Sequence, residues 1–223
     1  MIFEKIHNKG QAKIFNNRRL EFFTKTHPLV IWGMYLPVII LMLYYAITII
    51  QLSNIQAISI FTGGLIFWTL FEYLIHRFAF HFIPKGKTTM KIVYVIHGNH
   101  HEYPRDKQRL FMPPLPSIII SSNIFLLMYF AGLLLNMTGY LPAFFPGFIF
   151  GYLLYGTMHY AIHSWSPPFK WMKSLWRNHH LHHYKDEHRG FGVSTTLWDR
   201  IFGTMYVTDK GKLKKGKLRK MRF

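Results

Sequence analysis

The sequence contains no cysteine. Disulfides, thiolate zinc sites and cysteine-ligated iron–sulfur clusters are therefore excluded, and the redox compartment is left undecided. Acidic residues are also scarce, with 9 Asp and Glu against 27 Lys and Arg in 223 residues, while 50% of the chain is hydrophobic. This apolar content excludes a disordered chain and fits one domain over residues 1–223. A soluble nucleic-acid binder would explain the charge but would not have uncharged stretches of bilayer length, so no nucleic-acid partner is expected.

Charged residues are almost absent from four apolar segments, which predicts membrane helices. Residues 29–52 carry no charge, and residues 55–75 carry only Glu72. Each segment can cross a hydrocarbon core, which takes about 20 helical residues. Residues 118–135 and 141–158 are shorter and uncharged, so tilt or partial insertion stays open for these two. We predict an all-α integral membrane protein with about four transmembrane helices in two hairpins and a histidine-rich helical cap.

Basic residues lie on one side of such a four-helix arrangement. The segment 1–28, the segment after helix 2 and everything after helix 4 hold all 27 Lys and Arg, and the opposite turns hold none. This positive-inside bias predicts that both termini and the cap are cytoplasmic. No cleavable signal sequence is apparent. Trp68, like other Trp and Tyr residues near helix ends, is expected to be an interfacial anchor.

Ten of the 14 histidines fall into four groups at or just beyond the cytoplasmic ends of helices 2 and 4. Residues three or four apart lie on one side of a helix, so such pairs can direct their rings at one metal ion. His76 and His81 are five apart, so either the helix loosens there or the pair serves different ions. The groups are His76 and His81; His97, His100 and His101; His159 and His163; and His179, His182 and His183.

These groups predict metal binding. Protonated imidazoles would repel one another near a low-dielectric boundary, whereas neutral imidazoles bind divalent ions, and ten ligands exceed one coordination sphere. The spacing leaves zinc, iron, copper and nickel open. Structural zinc sites usually include thiolates, and a transporter would be expected to place its ligands near the bilayer midplane. Ligands that cap one side of the membrane instead favour a catalytic site that meets lipid chains.

Four motifs between about residues 71 and 204 resemble the membrane fatty acid hydroxylase superfamily. They are EYLIHRFAFH, HGNHHEYPRDKQRLFMPPLPS, HYAIH and HHLHHYKDEHRGFGVSTTLWDRIFGT. They are most similar to the fatty acid 2-hydroxylase branch. The resemblance implies that the ten histidines bind two iron ions, which use dioxygen and two electrons to hydroxylate the carbon beside the acyl carboxyl of fatty acids, sphingolipids or ceramides. Zinc can replace iron in purified protein. His180 does not match the ligand pattern, so it either contacts a ligand without binding metal or has no role at the site.

The chain departs from this family in two respects. Many members carry a fused cytochrome b5-type domain, for which residues 1–28 are too short, so electrons are expected from a separate protein. Gly156, three residues before His159, stands where this branch has an aspartate. The missing aspartate would have made a contact near the metal ligands, so this contact and the exact substrate are left undecided.

Several other polar residues have simpler interpretations. Glu72 either orients a ligating imidazole or is a buried polar residue facing neighbouring helices. Asp199 and Arg200 either do similar work or form a solvated ion pair, and the ion pair is the favoured interpretation. The basic tail, residues 205–223, binds anionic lipid or an acidic electron donor or is simply solvated. His7, His27 and His188 are ordinary interfacial histidines.

Two rival functions stay open at this point. The first is a sterol- or carotenoid-type hydroxylase or desaturase on a similar centre, and the second is a non-catalytic membrane metal-binding or sensing protein. The product of the first is a ring modification or a double bond rather than an acyl hydroxyl. The second would leave the lipids of a host cell unchanged.

Overall fold

A computed structural model describes residues 5–206, so most of the basic tail lies outside the described residues. Over the described range the chain forms nine α-helices and no β-strand, which confirms the all-α prediction. Two π-helical segments, Ile75–Phe80 and Tyr94–Gly98, interrupt this pattern. The helices are α1 (Arg18–Phe22), α2 (Pro28–Thr48), α3 (Asn54–Leu74), α4 (Lys87–Val93), α5 (Asn99–Glu102), α6 (Pro114–Leu134), α7 (Leu141–Ser164), α8 (Lys173–Tyr184) and α9 (Leu197–Ile201).

Four helices of the described chain are long and apolar enough to cross a membrane: α2, α3 with its π-helical extension, α6 and α7. They confirm the four predicted spans. The last two are longer than predicted, since α6 begins at Pro114 and α7 continues to Ser164. Proline is tolerated in the first helical turn, where its missing N–H has no intrahelical partner, so the proline-rich segment starts α6 rather than preceding it.

Local capping explains where the first hairpin turns. His27 accepts a hydrogen bond from the amide of Leu29 at 3.3 Å, and Pro28 opens α2. Ser53 and Gln56 form a reciprocal capping box at the start of α3, with distances of 2.9 and 3.3 Å. Such a box satisfies amides that would otherwise lack partners at the helix end. The two helices are therefore separated by a short turn at residues 49–53.

The helix α7 is the centre of the bundle and packs along α3 and α2. Of its most apolar stretch, 56% is buried, against 6% for the corresponding stretch of α6. Glycines permit this approach: a Cβ on Gly64 would lie 2.0 Å from the carbonyl oxygen of Phe144, and one on Gly147 would lie 1.9 Å from that of Phe61. Small residues at such crossings let membrane helices pack backbone to backbone.

The core of the bundle is aromatic. Trp68 is only 9% exposed, and its ring lies 5.0 Å from that of Phe148 and 5.5 Å from that of Tyr152. The prediction that Trp68 is an interfacial anchor is therefore wrong, because α7 covers the face of α3 that carries it. The other buried members of this core are Ile31, Tyr35, Ile39, Phe111, Leu141, Phe145, Ile149 and Leu153.

The helix α6 lies at the edge of the bundle and is tied to it by few polar contacts. The hydroxyl of Tyr35 on α2 bonds the hydroxyls of Ser117 at 2.8 Å and Ser121 at 2.9 Å. Ser117 also bonds Tyr152 of α7 at 3.2 Å. Most of the remaining α6 surface is apolar and exposed, as expected for a helix that faces lipid.

An ion-pair network joins the N-terminal segment to the loop before α6. Arg109, whose side chain is 4% exposed, donates to Asp106 at 2.6 Å and also to Glu21. The amide of Thr26 donates to the carbonyl of Gln108 at 2.9 Å. These contacts hold in place the chain that directly follows His97, His100 and His101.

Candidate metal centre

The first histidine pair lies on a widened helical turn. α3 continues as the π-helical segment Ile75–Phe80, and the amide of His81 donates to the carbonyl of His76, five residues earlier, at 3.3 Å. Residues five apart then lie on one face. The two rings consequently lie with their centroids 5.1 Å apart. Of the two alternatives that the spacing allowed, the loosened helix is the one observed.

The other histidines come from helix ends that converge on this turn. α7 reaches it from the bilayer side, whereas α5 and α8 belong to the cap. A second π-helical segment, Tyr94–Gly98, leads directly into α5. The positions are His97 in that segment, His100 and His101 on α5, His159 and His163 on the last turns of α7, and His179, His182 and His183 on α8.

All ten predicted histidines assemble into two groups of five. Within each group the candidate ligand nitrogens lie within 4.8 Å of one another. The groups are adjacent, since the rings of His101 and His183, one from each, stack with centroids 4.2 Å apart. The first group is His76, His81, His97, His101 and His182, and the second group is His100, His159, His163, His179 and His183.

Spacing decides which group a histidine joins. Residues four apart share a group, as His97 and His101 share the first and His179 and His183 the second. Residues three apart are divided, as His97 and His100 are. Positions i+3 and i+4 deviate from i by about 60° and 40° in opposite senses, so they flank it rather than coincide. The histidines of Tyr94–Gly98 and α5, and those of α8, therefore each contribute to both groups.

The nitrogen atoms are spaced as metal ligands would be. The Nε2 atoms of His163 and His179 are 2.8 Å apart, and those of His97 and His101 are 3.0 Å apart. Two nitrogens about 2.1 Å from one ion and about 90° apart would be about 3.0 Å from each other. Among the described residues, the buried Nε2 atom of His182 has no hydrogen-bond partner. An all-imidazole donor set fits zinc, iron, copper or nickel, so both groups can hold a metal ion.

Burial keeps the imidazoles of the cap neutral. The cap histidines, defined as those of the two groups on Tyr94–Gly98, α5 and α8, have pKa values well below the usual 6.5, first because burial removes hydration and then because neighbouring imidazoles repel a proton. The same causes lower the pKa of His81 to about 2. Neutral imidazoles have the lone pair that a metal ion requires.

Backbone carbonyls fix the orientation of two first-group rings. Nδ1–H of His182 donates to the carbonyl of Arg189 at 2.7 Å, and Nδ1–H of His76 donates to the carbonyl of Phe191 at 2.5 Å. A carbonyl can only accept, so the proton of each neutral ring belongs on Nδ1. Nε2 is then the lone-pair atom, directed into the group.

Glu72 supports the loop that supplies these carbonyls. The side chain is 5% exposed and accepts hydrogen bonds from the amides of Val193 at 2.8 Å and Ser194 at 2.9 Å, and from the Ser194 hydroxyl. Glu72 therefore acts on the backbone of residues 189–194 in these contacts rather than on an imidazole.

Asp199 holds the same loop from the other side. It is 0% exposed, while Arg200 is exposed, so the predicted solvated ion pair is wrong. The carboxylate accepts four hydrogen bonds of 2.7–3.1 Å, which replace the water it loses on burial. Glycines at 190 and 192 were the sequence signal for a tight loop here. The donors are the amides of Phe191 and Gly192, the side chain of Asn178 and the hydroxyl of Thr204.

An aromatic ring occupies the space beside Gly156. A Cβ on this glycine would lie 2.3 Å from Cε1 of Phe111, which is itself 4% exposed. The preceding carbonyl, that of Leu110, accepts a hydrogen bond from Nδ1–H of His159 at 3.3 Å. The position where an aspartate was expected is thus packed against Phe111, next to a second-group ligand candidate.

The remaining histidines lie outside both groups. Nδ1–H of His180 donates to the carbonyl of Trp176 at 2.6 Å, so His180 is adjacent to the centre without joining it. His7 stacks on Tyr103, with centroids 5.0 Å apart, and His27 caps α2. His188 is exposed.

A cavity of about 360 Å³ opens on the first group. His81, His97 and His101 contribute to its lining, as do Glu187 and His188. The other lining side chains are mostly apolar and belong to the segment after α3 and to α4: Phe80, Phe82, Ile83, Pro84, Met90 and Val93. The cavity therefore offers an apolar surface next to one set of candidate ligands.

Fold and site together define a helical protein with four helices long and apolar enough to cross a membrane and two adjacent histidine groups that can each hold a metal ion. The family profile for fatty acid hydroxylases matches residues 61–204. This match, with the relatives described next, shows that the chain belongs to the fatty acid hydroxylase family, which confirms the resemblance seen in the motifs.

Characterised relatives are ceramide and dihydroceramide hydroxylases. The ceramide very long chain fatty acid hydroxylase of Saccharomyces cerevisiae is 37% identical over 91% of this chain, which spans 52% of that enzyme. A dihydroceramide fatty acyl 2-hydroxylase of Arabidopsis thaliana is 33% identical over 86% of this chain and 79% of its own length. The solved structure of full-length Scs7p, with only its hydroxylase domain visible, has a TM-score of 0.81 and 35% identity over 90% of this chain and 74% of that one. These relatives do not favour the sterol, carotenoid or non-catalytic alternatives.

Proposed function

We propose that this chain is a dioxygen-dependent oxidoreductase with two iron ions, which adds a hydroxyl to the carbon beside the carboxyl of fatty acyl chains, free or within sphingolipids and ceramides. The observation that carries the proposal is the pair of adjacent five-histidine groups, buried except for the partly exposed His81. The names of the yeast and Arabidopsis relatives support the substrate class. The proposed ligands are the ten histidines of the two groups.

The reaction explains the need for metal. Conversion of an acyl C–H to C–OH is a two-electron oxidation, which acid–base groups of side chains cannot perform, so the iron pair would supply the redox chemistry. Dioxygen, two electrons and two protons convert the C–H bond into C–OH and release one water. The chain itself holds the imidazoles in their neutral form and excludes water from them by burial.

The cavity beside the first group is the proposed site of the acyl chain. Its apolar lining, including Phe82, Ile83 and Met90, matches a hydrocarbon chain, and its histidines bring that chain to the ligands. The side chains of Phe82 and Ile83 are 52% and 74% exposed, as expected where a lipid leaves the bilayer for the site. Glu187 and His188 are polar residues of its lining.

We infer that the centre faces the cytoplasm, because the segments of the sequence before the first span, between the second and third spans and after the fourth span contain all 27 Lys and Arg. The two electrons are proposed to come from a separate protein. The chain has no cysteine for an iron–sulfur cluster. It has 27 basic and 9 acidic residues, and this positive charge is complementary to an electron donor with an acidic surface.

Mass spectrometry of lipids tests the proposed function. The chain is expressed in a host without acyl 2-hydroxylase activity, together with a reductase partner, and compared with the His182→Ala, His183→Ala double variant, which removes one ligand from each group. The expected product is one added oxygen beside the acyl carboxyl, present only with the intact histidines.

A matched control is His27→Asn, which removes a histidine outside both groups and keeps a residue suited to capping α2. It should retain the product. If the membrane-inserted, iron-loaded chain yields no hydroxylated acyl lipid, or if the double variant yields as much as the parent, the proposed function is wrong.

A further inference from the structure

We propose that Asp199 is a positioning residue that orients two ligands of the first group, His76 and His182, through the loop of residues 189–194. The inference rests on the metal centre of the proposed function but does not depend on the substrate. Asp199 touches neither ring. It acts on the backbone whose carbonyls accept the Nδ1–H groups of both rings.

Residue 191 carries the connection most directly. The amide of Phe191 donates to Oδ1 of Asp199 at 2.9 Å, and the carbonyl of the same residue accepts from His76 at 2.5 Å. The next amide, that of Gly192, donates to Oδ2 at 2.9 Å. The two oxygens of one carboxylate thus hold two successive amides, and displacement of these peptides would move the acceptor that sets the His76 ring.

Close packing leaves the loop little freedom to adjust. Gly190 has φ +72°, and a Cβ there would lie 2.7 Å from the ring of Tyr206. A Cβ on Gly192 would lie 2.1 Å from the carbonyl oxygen of Thr195 and 2.9 Å from Oδ2 of Asp199. Only glycine allows the backbone to come this close to the carboxylate. The backbone of the loop therefore packs directly against the carboxylate of Asp199.

No ring of the second group is oriented by a carbonyl of this loop; the link of Asp199 to that group is the side chain of Asn178, which precedes His179 on α8 and donates to Oδ2 at 3.1 Å. The ring of His159 is oriented by the carbonyl of Leu110, on a different segment. The other hydrogen bonds described for this group join its own members, as between His163 and His179 at 2.8 Å. A change at Asp199 should consequently affect one metal site and leave the other, which a general loss of folding would not do.

The variant Asp199→Asn tests this difference with little change in shape. An amide keeps one acceptor oxygen but presents an NH₂ group to the other pair of donors, so one loop amide loses its partner. Mutation of a group that orients a metal ligand typically weakens metal affinity by about 10- to 100-fold. We expect zinc binding to the first group to weaken by at least about tenfold.

Zinc titration against a competing chelator, on the full chain in detergent, measures each group separately. A background with His163→Ala and His179→Ala leaves only the first group complete, and one with His81→Ala and His97→Ala leaves only the second. Asp199→Asn should weaken zinc binding in the former background and leave it unchanged in the latter. The matched control is Asp186→Asn, which keeps the side-chain oxygen that accepts from the amide of His188 at 3.0 Å and removes the 3.8 Å salt bridge of a 38% exposed carboxylate to Arg189.

Equal affinity with and without Asp199→Asn in the first-group background would overturn the proposal. So would an equal loss in both backgrounds, because it would mean a general structural role, and so would an effect of the same size from Asp186→Asn. Hydrogen exchange of the two histidine backgrounds provides a test that needs no stable Asp199 variant. Zinc should slow exchange in residues 189–194 when the first group is complete and not when only the second is, and no difference would contradict the inference.

These outcomes are separate from those of the lipid assay. Selective loss of zinc from the first group, with no hydroxylated lipid from the parent, would retain the positioning role and reject the proposed function. A parental chain that binds no zinc and no iron would reject both.

Discussion

Replacing Gly156 by alanine should destabilise the protein although alanine is the better helix former. The new Cβ would lie 2.3, 2.6 and 2.9 Å from three carbons of the Phe111 ring, distances at which the ring must move. Overpacking of this kind costs about 1–3 kcal/mol. Alanine recovers about 1 kcal/mol through helix propensity. Contacts this short favour the upper end of the range, so a net loss of about 2 kcal/mol is expected.

Thermal unfolding in detergent measures this loss. For a chain of this size, about 2 kcal/mol corresponds to a fall in Tm of about 4–8 °C. The informative control is the same substitution in a Phe111→Leu background, where the clashing ring carbons are absent. There Gly156→Ala should be neutral or should stabilise the protein by up to about 1 kcal/mol.

The double-mutant cycle decides whether Phe111 is the cause. A coupling energy of about 2–3 kcal/mol between the two positions is expected, which is within the range for residues in contact. The reasoning is refuted if Gly156→Ala is as stable as the parent, or if it costs the same with and without the Phe111 ring. Because the carbonyl before Phe111 orients His159, weaker zinc binding by the second group should accompany the loss.

Three further outcomes are expected. Tyr35→Phe removes the hydroxyl that ties α2 to Ser117 of α6, and should cost about 1 kcal/mol in thermal unfolding; an unchanged Tm would mean that this hydrogen bond contributes nothing. Arg109→Ala leaves Asp106 and Glu21 without their buried partner and should cost about 3–5 kcal/mol, visible as loss of folded protein, while Glu21→Gln should cost less. The metal-free protein should lose stability as the pH falls below 6.5. The cap histidines have lowered pKa values in the folded protein, so the unfolded chain binds more protons. A Tm that does not change between about pH 7.5 and 5.5 would contradict this.

Features that follow from local composition were predictable. Uncharged segments gave the four spans, because a hydrocarbon core excludes charge over a fixed length. The ten histidines were recognisable because imidazoles at helical spacing are unusual unless they share a ligand. Their division into two groups was not, since it depends on small angular differences between positions i+3 and i+4 after α5 and α8 are docked.

Features that depend on distant segments were hidden in the sequence. Asp199 resembles a surface residue beside Arg200 until the loop at 189–194 closes over it. Trp68 resembles an anchor until α7 covers it. The packing of Phe111 against Gly156 joins positions 45 residues apart, and neither residue alone indicates the other.

The interleaving of the two groups has a consequence for biosynthesis. The first group needs both His76 and His182, and the second needs both His100 and His183, so no short piece of the chain contains either site. A ribosome makes the residues of α8 after all four spans have been translated. A metal ion held by all five histidines of either group can therefore be fully coordinated only after the residues of all four spans have been made.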